Sequence, residues 1–361
     1  MFNTTTFLAL LVAVAVTGPS GVMAQIGKNN IPPNFTTGNC VSGRMPFDQK
    51  RIFEMHGDES KRYTVDRSQY DFTHSYGSVT YNGNTASLNV VKSNDPSKLA
   101  DGVLLSTTRY MRYGKVTARL NPAVSPGIVT TFVTWSDKQA PIPNSLEYVQ
   151  DEIDWEILGR DVSRPETNVF TYKTSNLERG LHGGPVNGVI TPGVHEYSIE
   201  WRNDRIVWSV DGRVVKTLNK AESRGLPGSL PPGQFWFPES ASRIQVSIWD
   251  GTTQANWAGG PIQFNPSNTV SSVYEWLEVQ CYNDDMQPVS TWSTDGTGAA
   301  KPEAPPPPSP STPGSPTGPG APGSRSSLPP KSSSAIVPTS MNVLLTSIVA
   351  SIAGIAAISF M

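Results

Sequence analysis

The chain has 361 residues and a formal net charge of −2, so its charge gives no reason to expect binding to nucleic acid or to an anionic membrane surface. Charged residues make up only 16% of the sequence and prolines number 32. This composition is typical of a loop-rich extracellular protein rather than a helical cytosolic one.

The first 24 residues have the features of a secretory signal peptide. Residues 7–16 form a short apolar core, and residues 22–24 make a small-x-small-like cleavage site before Gln25. The mature chain is therefore predicted to begin at Gln25. Asn34, in the sequence Asn-Phe-Thr, is the one N-glycosylation acceptor predicted in the mature chain.

The chain contains two cysteines, Cys40 and Cys281. In a secreted protein, two cysteines most simply form a disulfide with each other. This bond would close a loop that spans nearly the whole predicted domain. Chain-entropy models give such a loop an upper limit of about 5 kcal/mol of stabilisation.

Short alternating runs follow one another from residue 66 onward, and Gly, Pro and Asn residues separate them. Residues 82–84 form a hairpin-type turn between the first two runs, and residues 211–212 form another. No stretch shows sustained helical periodicity, although residues 220–224 are compatible with a short turn. The pattern predicts an antiparallel sandwich or barrel in one domain. The predicted strands span residues 78–81, 86–91, 102–106, 114–120, 127–135, 151–159, 167–172, 195–201, 205–210, 213–218, 244–249 and 270–279.

The stretch 151–159 differs from the other predicted strands because it carries a row of acids. With a period of two, the acids fall on one face and large apolar residues on the other. The acidic face is formed by Glu152, Asp154 and Glu156, and the apolar face by Ile153, Trp155 and Ile157. The apolar face can anchor in a core. Core packing does not require three neighbouring carboxylates, which repel one another more strongly when they are partly buried.

Such a row suits retaining glycoside hydrolysis, which needs two carboxyl groups roughly 5–5.5 Å apart. Positions i and i+4 of a strand lie about 13 Å apart at Cα, so two Glu side chains that lean together bring their carboxyl groups near this distance. The Asp between them can orient the nucleophile and hold its charge state. Taken alone, such a run of alternating acids favours a solvated acidic strand or a divalent-cation site, and the flanking motifs described below change that balance.

The composition changes after about residue 285. Residues 304–330 are dominated by Pro, Ser, Gly and Thr, which predicts an extended stalk. Residues 343–361 form an apolar tail behind small residues and a spacer, which is the pattern of a GPI-attachment signal, with Ser333 as the expected attachment residue. A transmembrane anchor is the alternative, but the tail ends the chain and has no basic flank.

Several motifs around the acidic strand resemble glycoside hydrolase family 16, whose active-site motif is E-x-D-x-E. The resemblance spans roughly residues 110–282 and is closest to the fungal Crh-type branch of GPI-anchored cell-wall transglycosylases. Further matches in order and spacing are Y-G-R/K-x-E/T at residues 112–116, G-I/T-V-S/T-S/T-F at 127–132, T-N-x-F/Y at 167–170, H-x-Y-x-I-x-W at 195–201 and W-A-G-G at 257–260.

The resemblance implies an all-β fold, a concave β-jelly-roll sandwich of the concanavalin-like type, with the acidic strand in its cleft. It also implies that Glu152 is the nucleophile, Glu156 the general acid/base and Asp154 the assisting carboxylate. No extra residue precedes the second Glu, which favours the branch of lichenases and transglycosylases over laminarinase-type enzymes. The expected organisation is a signal peptide at 1–24, a catalytic sandwich at 25–287, a linker at 288–331 and a GPI-attachment signal at 332–361.

Five residues are candidates for substrate binding, and each has a structural alternative. Trp249 and Trp257 could stack on sugar rings, as could Trp135 with less support, but core packing explains each equally well. Asn168 and Tyr172 would share a strand face with Phe170, and that face could belong to the cleft or to the core.

Three hypotheses follow for the function of the chain. The first is a wall-anchored transglycosylase that cleaves a chitin or β-glucan chain and transfers it to a glucan acceptor. The second is an endo-β-1,3(4)-glucanase that uses water, and the third is a non-catalytic sugar-binding wall protein. We expect no cofactor and no metal, partners limited to β-glucan and chitin chains, and a secreted protein held at the cell membrane by a GPI anchor or in the cell wall.

Overall fold

The computed structural model describes most of the predicted catalytic domain. The signal peptide, most of the linker and the GPI-attachment signal predicted from the sequence lie outside the described residues. The described residues are 31–96, 98–141, 148–172, 185–186, 190–223, 233–264 and 266–295.

The described residues form β-strands joined by turns, with only short helices. The strands are β1 (Asn39–Val41), β2 (Gly43–Pro46), β3 (Ile52–Glu54), β4 (Phe72–Tyr76), β5 (Ser78–Asn82), β6 (Thr85–Lys92), β7 (Ala100–Asp101), β8 (Val103–Met111), β9 (Gly114–Asn121), β10 (Ile128–Pro141), β11 (Tyr148–Leu158), β12 (Glu166–Phe170), β13 (His195–Trp201), β14 (Arg205–Val210), β15 (Arg213–Asn219), β16 (Ser242–Asp250), β17 (Thr269–Tyr282), β18 (Pro288–Val289) and β19 (Thr291–Ser293). The helices are one α-helical turn, α1 (Ala255–Ala258), and 3₁₀ turns at Gln49–Arg51, Glu59–Tyr63, Lys220–Glu222 and Thr252–Gln254.

Two large sheets pack face to face. The first sheet has the strand order β12-β11-β10-β16-β8-β4-β3 and is called here the cleft sheet. The second has the order β15-β14-β13-β9-β17-β6-β5, with β2, β7 and β18 paired beside it. Neighbouring strands are antiparallel except for the parallel pair β3 and β4. The prediction of an all-β sandwich is confirmed.

Aromatic residues join the two sheets across the core. The Trp155 ring of β11 lies edge-on to Tyr197 of β13, with ring centroids 5.4 Å apart, and its indole N–H donates to the Ser198 carbonyl at 3.2 Å. From the opposite sheet, the Trp208 indole N–H donates to the Asp154 carbonyl at 3.0 Å. Both Trp side chains are fully buried, so each combines a large apolar area with a satisfied polar group. These contacts fix the acidic strand against the core from behind.

The chain ends of the domain meet. Strand β1 pairs with β19, and Cys40 of β1 forms a disulfide with Cys281 of β17, with the two Cα atoms 5.9 Å apart. The folded domain therefore continues past residue 287, where the sequence analysis placed its end. The last two strands are too short to show a period. Strand β18 pairs with the nearby β17, whereas the partner of β19, β1, lies roughly 250 residues away along the chain. The strands before residue 66 escaped prediction because they are also short.

Candidate active site

Strand β11 has the two faces that its sequence predicts. Ile153, Trp155 and Ile157 are fully buried in the core between the sheets, and Glu152, Asp154 and Glu156 lie on the opposite face. Glu152 and Asp154 are only 7% and 2% exposed, while Glu156 is half-buried. The three acids are therefore not a solvated acidic face.

The three carboxylates line an open cleft on the outer face of the cleft sheet. Strands β8, β10, β12 and β16 supply the rest of the lining. These residues are Leu104, Thr131, Val133, Trp135, Phe170, Gln245, Ser247 and Trp249. Their mixed apolar and hydroxyl or amide character is typical of a pocket for a small polar ligand or a sugar.

Asp151, the acid immediately before this row, faces away from the cleft and is fully buried. One of its carboxylate oxygens accepts from the backbone N–H of Tyr172 at 3.2 Å. The other accepts from the N–H groups of Glu239 and Ser240, each at 2.9 Å. Three donated hydrogen bonds satisfy this buried carboxylate. Asp151 therefore ties the segments that follow β12 and precede β16 to the acidic strand.

Glu152 accepts a hydrogen bond of 2.5 Å from the side-chain amide of Gln150, which is itself buried. Burial raises the pKa of Glu152 to about 7, while the hydrogen bonds from Asp154 and Gln150 act in the opposite direction. Burial and the charges of Glu152 and Glu156 raise the pKa of Asp154 well above its usual range. Asp154 is thus the proton donor in its contact with Glu152.

Glu156 has a raised pKa of about 8, caused first by burial and then by the negative charges of Glu152 and Glu166. Burial therefore raises the pKa of both outer carboxyl groups, and the charges of Glu152 and Glu166 raise that of Glu156 further. Two carboxyl groups with raised pKa values in one site suit a reaction that needs one of them protonated and the other ionised.

The predicted binding residues have different locations. Trp135 and Trp249 line the cleft, on the strands β10 and β16. Trp257 does not line it but stacks on Trp249, with ring centroids 5.9 Å apart and an interplanar angle of 29°. Asn168 lies beside Asp154 in the register of β12 and β11, on the same face as the cleft-lining Phe170.

Tyr172 lies beyond the end of β12 rather than on it, because this strand ends at Phe170. The Lys138 ammonium lies 4.2 Å from the centroid of its ring. Tyr172 therefore does not share the strand face of Asn168 and Phe170 that the sequence predicted, and it does not line the cleft.

Beside Trp135, the same face of the cleft sheet carries a buried cluster of charged residues. Arg243 is paired with Trp135 in the register of β16 and β10, and its guanidinium donates to Asp137 at 3.0 Å. The Tyr110 hydroxyl donates to the other oxygen of Asp137. All three residues of this cluster are at least nine-tenths buried.

The N-terminal segment covers this cluster. The Phe35 ring lies edge-on to Tyr110 with centroids 5.8 Å apart, and Arg62 comes within 3.9 Å of Asp137. Without this segment, the residues of the cluster would lie on an open face of the sheet and would be exposed to solvent. The N-terminal segment therefore forms the boundary of the cleft beside Trp135. The exposed side chain of Asn34, the predicted glycosylation site, is adjacent to Phe35 in this segment.

Some contributors to the site have no local sequence signal. Thr131 and Ser247 share a hydrogen bond of 2.5 Å across β10 and β16, which are more than 100 residues apart in the chain. Gln150 lies two positions before Glu152 and therefore on the same face of the strand, a pattern from which it could have been predicted as part of the site. Among the described residues, no group of three or more His, Cys, Asp and Glu side chains is arranged to hold a metal ion.

A jelly-roll sandwich with a strand of three buried or half-buried carboxyl groups in its cleft defines a class of carbohydrate-active protein. Residues 66–270 match the family described as glycosyl hydrolases family 16, and the chain belongs to this family. The match begins well before residue 110, where the motif resemblance starts. It therefore includes β4 to β8 in the family domain.

Two curated relatives of the chain are fungal proteins. The chain is 29% identical to Crh-like protein 3 of Botryotinia fuckeliana over 246 residues. This alignment covers 63% of this chain and 48% of that protein. The chain is 31% identical over 247 residues to the probable glycosidase CRR1 of Saccharomyces cerevisiae, covering 66% and 53% respectively. The chain thus spans about half the length of these curated relatives.

A solved structure described as apo Crh5 transglycosylase superimposes with a TM-score of 0.51 at 22% identity, covering 73% of this chain and 91% of that one. At this identity the likeness shows the shared fold. Among the residues that the structure describes, no helix has both the length and the apolar character needed to cross a membrane.

Proposed function

We propose that the chain is a retaining transglycosylase of the fungal cell wall, which cleaves a β-linked glycan and transfers the released end to another sugar chain. The observation that carries this proposal is the arrangement on β11. Glu152 and Glu156 line one cleft four positions apart, and the Asp154 carboxyl group lies between them. The family match and the Crh-like relatives support the same activity.

The first step uses both outer carboxyl groups. The Glu152 carboxylate attacks the anomeric carbon and forms a glycosyl ester, while Glu156 donates its proton to the departing glycosidic oxygen. Asp154 holds the remaining proton of the cluster and donates a hydrogen bond to Glu152, which orients the nucleophile. The leaving chain departs with a new hydroxyl group.

The second step reverses these roles. Glu156, now a carboxylate, takes the proton of an acceptor hydroxyl, whose oxygen attacks the same anomeric carbon and releases Glu152. An acceptor sugar held in the cleft competes with bulk water through its high effective concentration. Trp135 and Trp249 line the cleft and are suited to hold such a sugar by stacking. Asn168 lies beside Asp154 on the same face of the sheet, and Trp257 and Tyr172 lie outside the lining.

The proposed substrates are β-glucan and chitin chains. The glucan part follows from the family, and the chitin part is supported by a solved relative described as Crh5 transglycosylase in complex with NAG. The predicted signal peptide, stalk and GPI-attachment signal support a secreted protein held at the cell membrane or in the wall, near these polymers.

The test incubates the purified protein with chitin or laminarin as donor and fluorescent oligosaccharides as acceptors. A labelled product of high mass supports transfer, and new reducing ends without labelled polymer would assign the chain to the hydrolases. Binding without either product would make it a sugar-binding protein.

The Glu152→Gln variant should lose both activities and keep its fold, because an amide cannot form the glycosyl ester. Glu278→Gln is the matched control on the other sheet, where this Glu is half-exposed and paired with Arg44. Full activity of Glu152→Gln would refute the nucleophile assignment.

A further inference from the structure

Glu166 occupies a position beside the acid/base residue that the proposed mechanism does not use. It begins β12 and lies directly opposite Glu156 in the antiparallel register of β11 and β12. Directly opposite residues on one sheet face have Cβ atoms roughly 4.5–5.5 Å apart, so their side chains interact. Both Glu side chains are half-buried, which weakens screening of their charges by solvent.

The Glu166 carboxylate also makes a specific contact with the aromatic side of the cleft. It accepts a hydrogen bond of 3.1 Å from the indole N–H of Trp257. Trp257 in turn stacks on Trp249, which is 5% exposed and lines the cleft. Val129, Leu158 and Ala258 pack around the pair as a small apolar cluster, separate from the main core.

The charges that face Glu156 come from several elements. Glu152 and Asp154 lie on its own strand, and Glu166 lies across on β12. The residues that β10 and β16 place nearby, Thr131 and Ser247, are neutral. Lys216 of β15, on the opposite sheet, interacts with Glu166 and partly balances its charge.

We infer that Glu166 is a positioning residue for the proposed reaction, with two roles carried by one carboxylate. Its negative charge beside Glu156 favours the protonated acid that the first step needs. Its hydrogen bond to Trp257 holds that ring against Trp249 and so shapes the sugar-stacking side of the cleft. This inference rests on the proposed function, because both roles are read out through turnover.

The two roles can be separated because each depends on a different property of the carboxylate. Glu166→Gln keeps an oxygen that accepts from the Trp257 indole but removes the charge. Trp257→Phe keeps a stacked ring but removes the N–H donor, and leaves the charge of Glu166 in place. Neither change removes a residue that touches the reacting atoms.

The experiment measures kcat and KM for transfer from pH 4 to pH 9 in the wild type and both variants. The wild-type alkaline limb reports the loss of the Glu156 proton. In Glu166→Gln this limb should move to lower pH by about 0.5–1 unit, the size expected for removing one like charge at a partly screened cross-strand distance. In Trp257→Phe the limb should stay in place and KM should rise about two- to tenfold, the effect of one lost hydrogen bond.

An unchanged alkaline limb in Glu166→Gln overturns the charge role, even if activity falls at every pH, since that uniform loss is what a merely structural residue would give. An unchanged KM in Trp257→Phe overturns the positioning of the aromatic pair. Urea unfolding of both variants checks that they fold. If the wild type itself forms no product, the proposed function fails. If the wild type gives a normal pH profile and the variants leave it unchanged, only the inference about Glu166 fails.

Discussion

Glu156→Gln should stabilise the folded protein at neutral pH although it removes the proposed general acid. Burial and neighbouring charges raise the pKa of Glu156 from 4.5 to about 8 in the folded protein. Between these two values the unfolded chain has lost the proton that the folded chain still binds. The folded state therefore holds more protons, and the free energy of unfolding falls as the pH rises through this window.

The size of the effect follows from the pKa difference. Each pH unit between 4.5 and 7 costs about 1.4 kcal/mol, which sets an upper limit of about 3 kcal/mol at pH 7. Glu152 shares the same cluster of carboxyl groups and takes part of this proton uptake, so we expect about 1–3 kcal/mol. Below pH 4.5 Glu156 is protonated in both the folded and the unfolded state, so the wild type keeps the full stability that it loses at higher pH. Glutamine cannot ionise, so the variant does not lose this stability.

The assay is urea unfolding of the wild type and Glu156→Gln at pH 4, 5.5 and 7, with reversibility checked at each pH. The gain of the variant over the wild type should grow from pH 4 to pH 7. In a domain of this size, 1 kcal/mol corresponds to roughly 2–4 °C in Tm. Asp285→Asn, in an exposed turn, removes a carboxyl group without burial and should show no such trend. Equal gains at pH 4 and pH 7 would refute the reasoning.

Three further predictions concern other parts of the domain. Asp137→Asn should destabilise the protein by about 3–5 kcal/mol in urea unfolding, because it leaves the Arg243 guanidinium buried without its counter-charge; a loss below 1 kcal/mol would contradict the burial of this pair. Reduction of the disulfide, which closes a loop of 241 residues, should lower the free energy of unfolding by up to about 5 kcal/mol, and an unchanged urea midpoint would contradict this. Gln150→Leu should move the acidic limb of kcat/KM to higher pH by about 1 unit, because Glu152 loses a hydrogen bond that favours its charged form. A limb at the wild-type pH would show that this contact does not act on Glu152.

Much of the fold was predictable because its strongest signals are local. The two faces of β11 follow from a period of two and from the size of Ile153, Trp155 and Ile157, which only a core can accommodate. The bounds of β13 and β14 agree with those predicted, since Gly193 precedes the first strand, residues 202–204 separate the two, and the Asp211-Gly212 turn ends the second. The two outer acids of the site followed from the same period.

The rest of the site depends on strand register, which local sequence does not determine. Thr131 and Ser247 meet only because β10 pairs with β16 in one particular alignment. Glu166 faces Glu156 for the same reason across β11 and β12. Tyr172 was placed on the strand because its spacing from Asn168 fits a period of two, but β12 ends before it reaches that residue.

The pairing of β1 with β19 has a consequence for how the protein is made. Residues 39–41 leave the ribosome about 250 residues before their partners at 291–293, so this pairing cannot form until almost the whole domain has been synthesised. Strands β1 and β2, which pair with β19 and β17, are therefore among the last parts of the domain to be fixed. Until residues 291–293 have been synthesised, β1 has no pairing partner, so the small sheet formed by the two ends of the domain is completed only when the last strand has emerged.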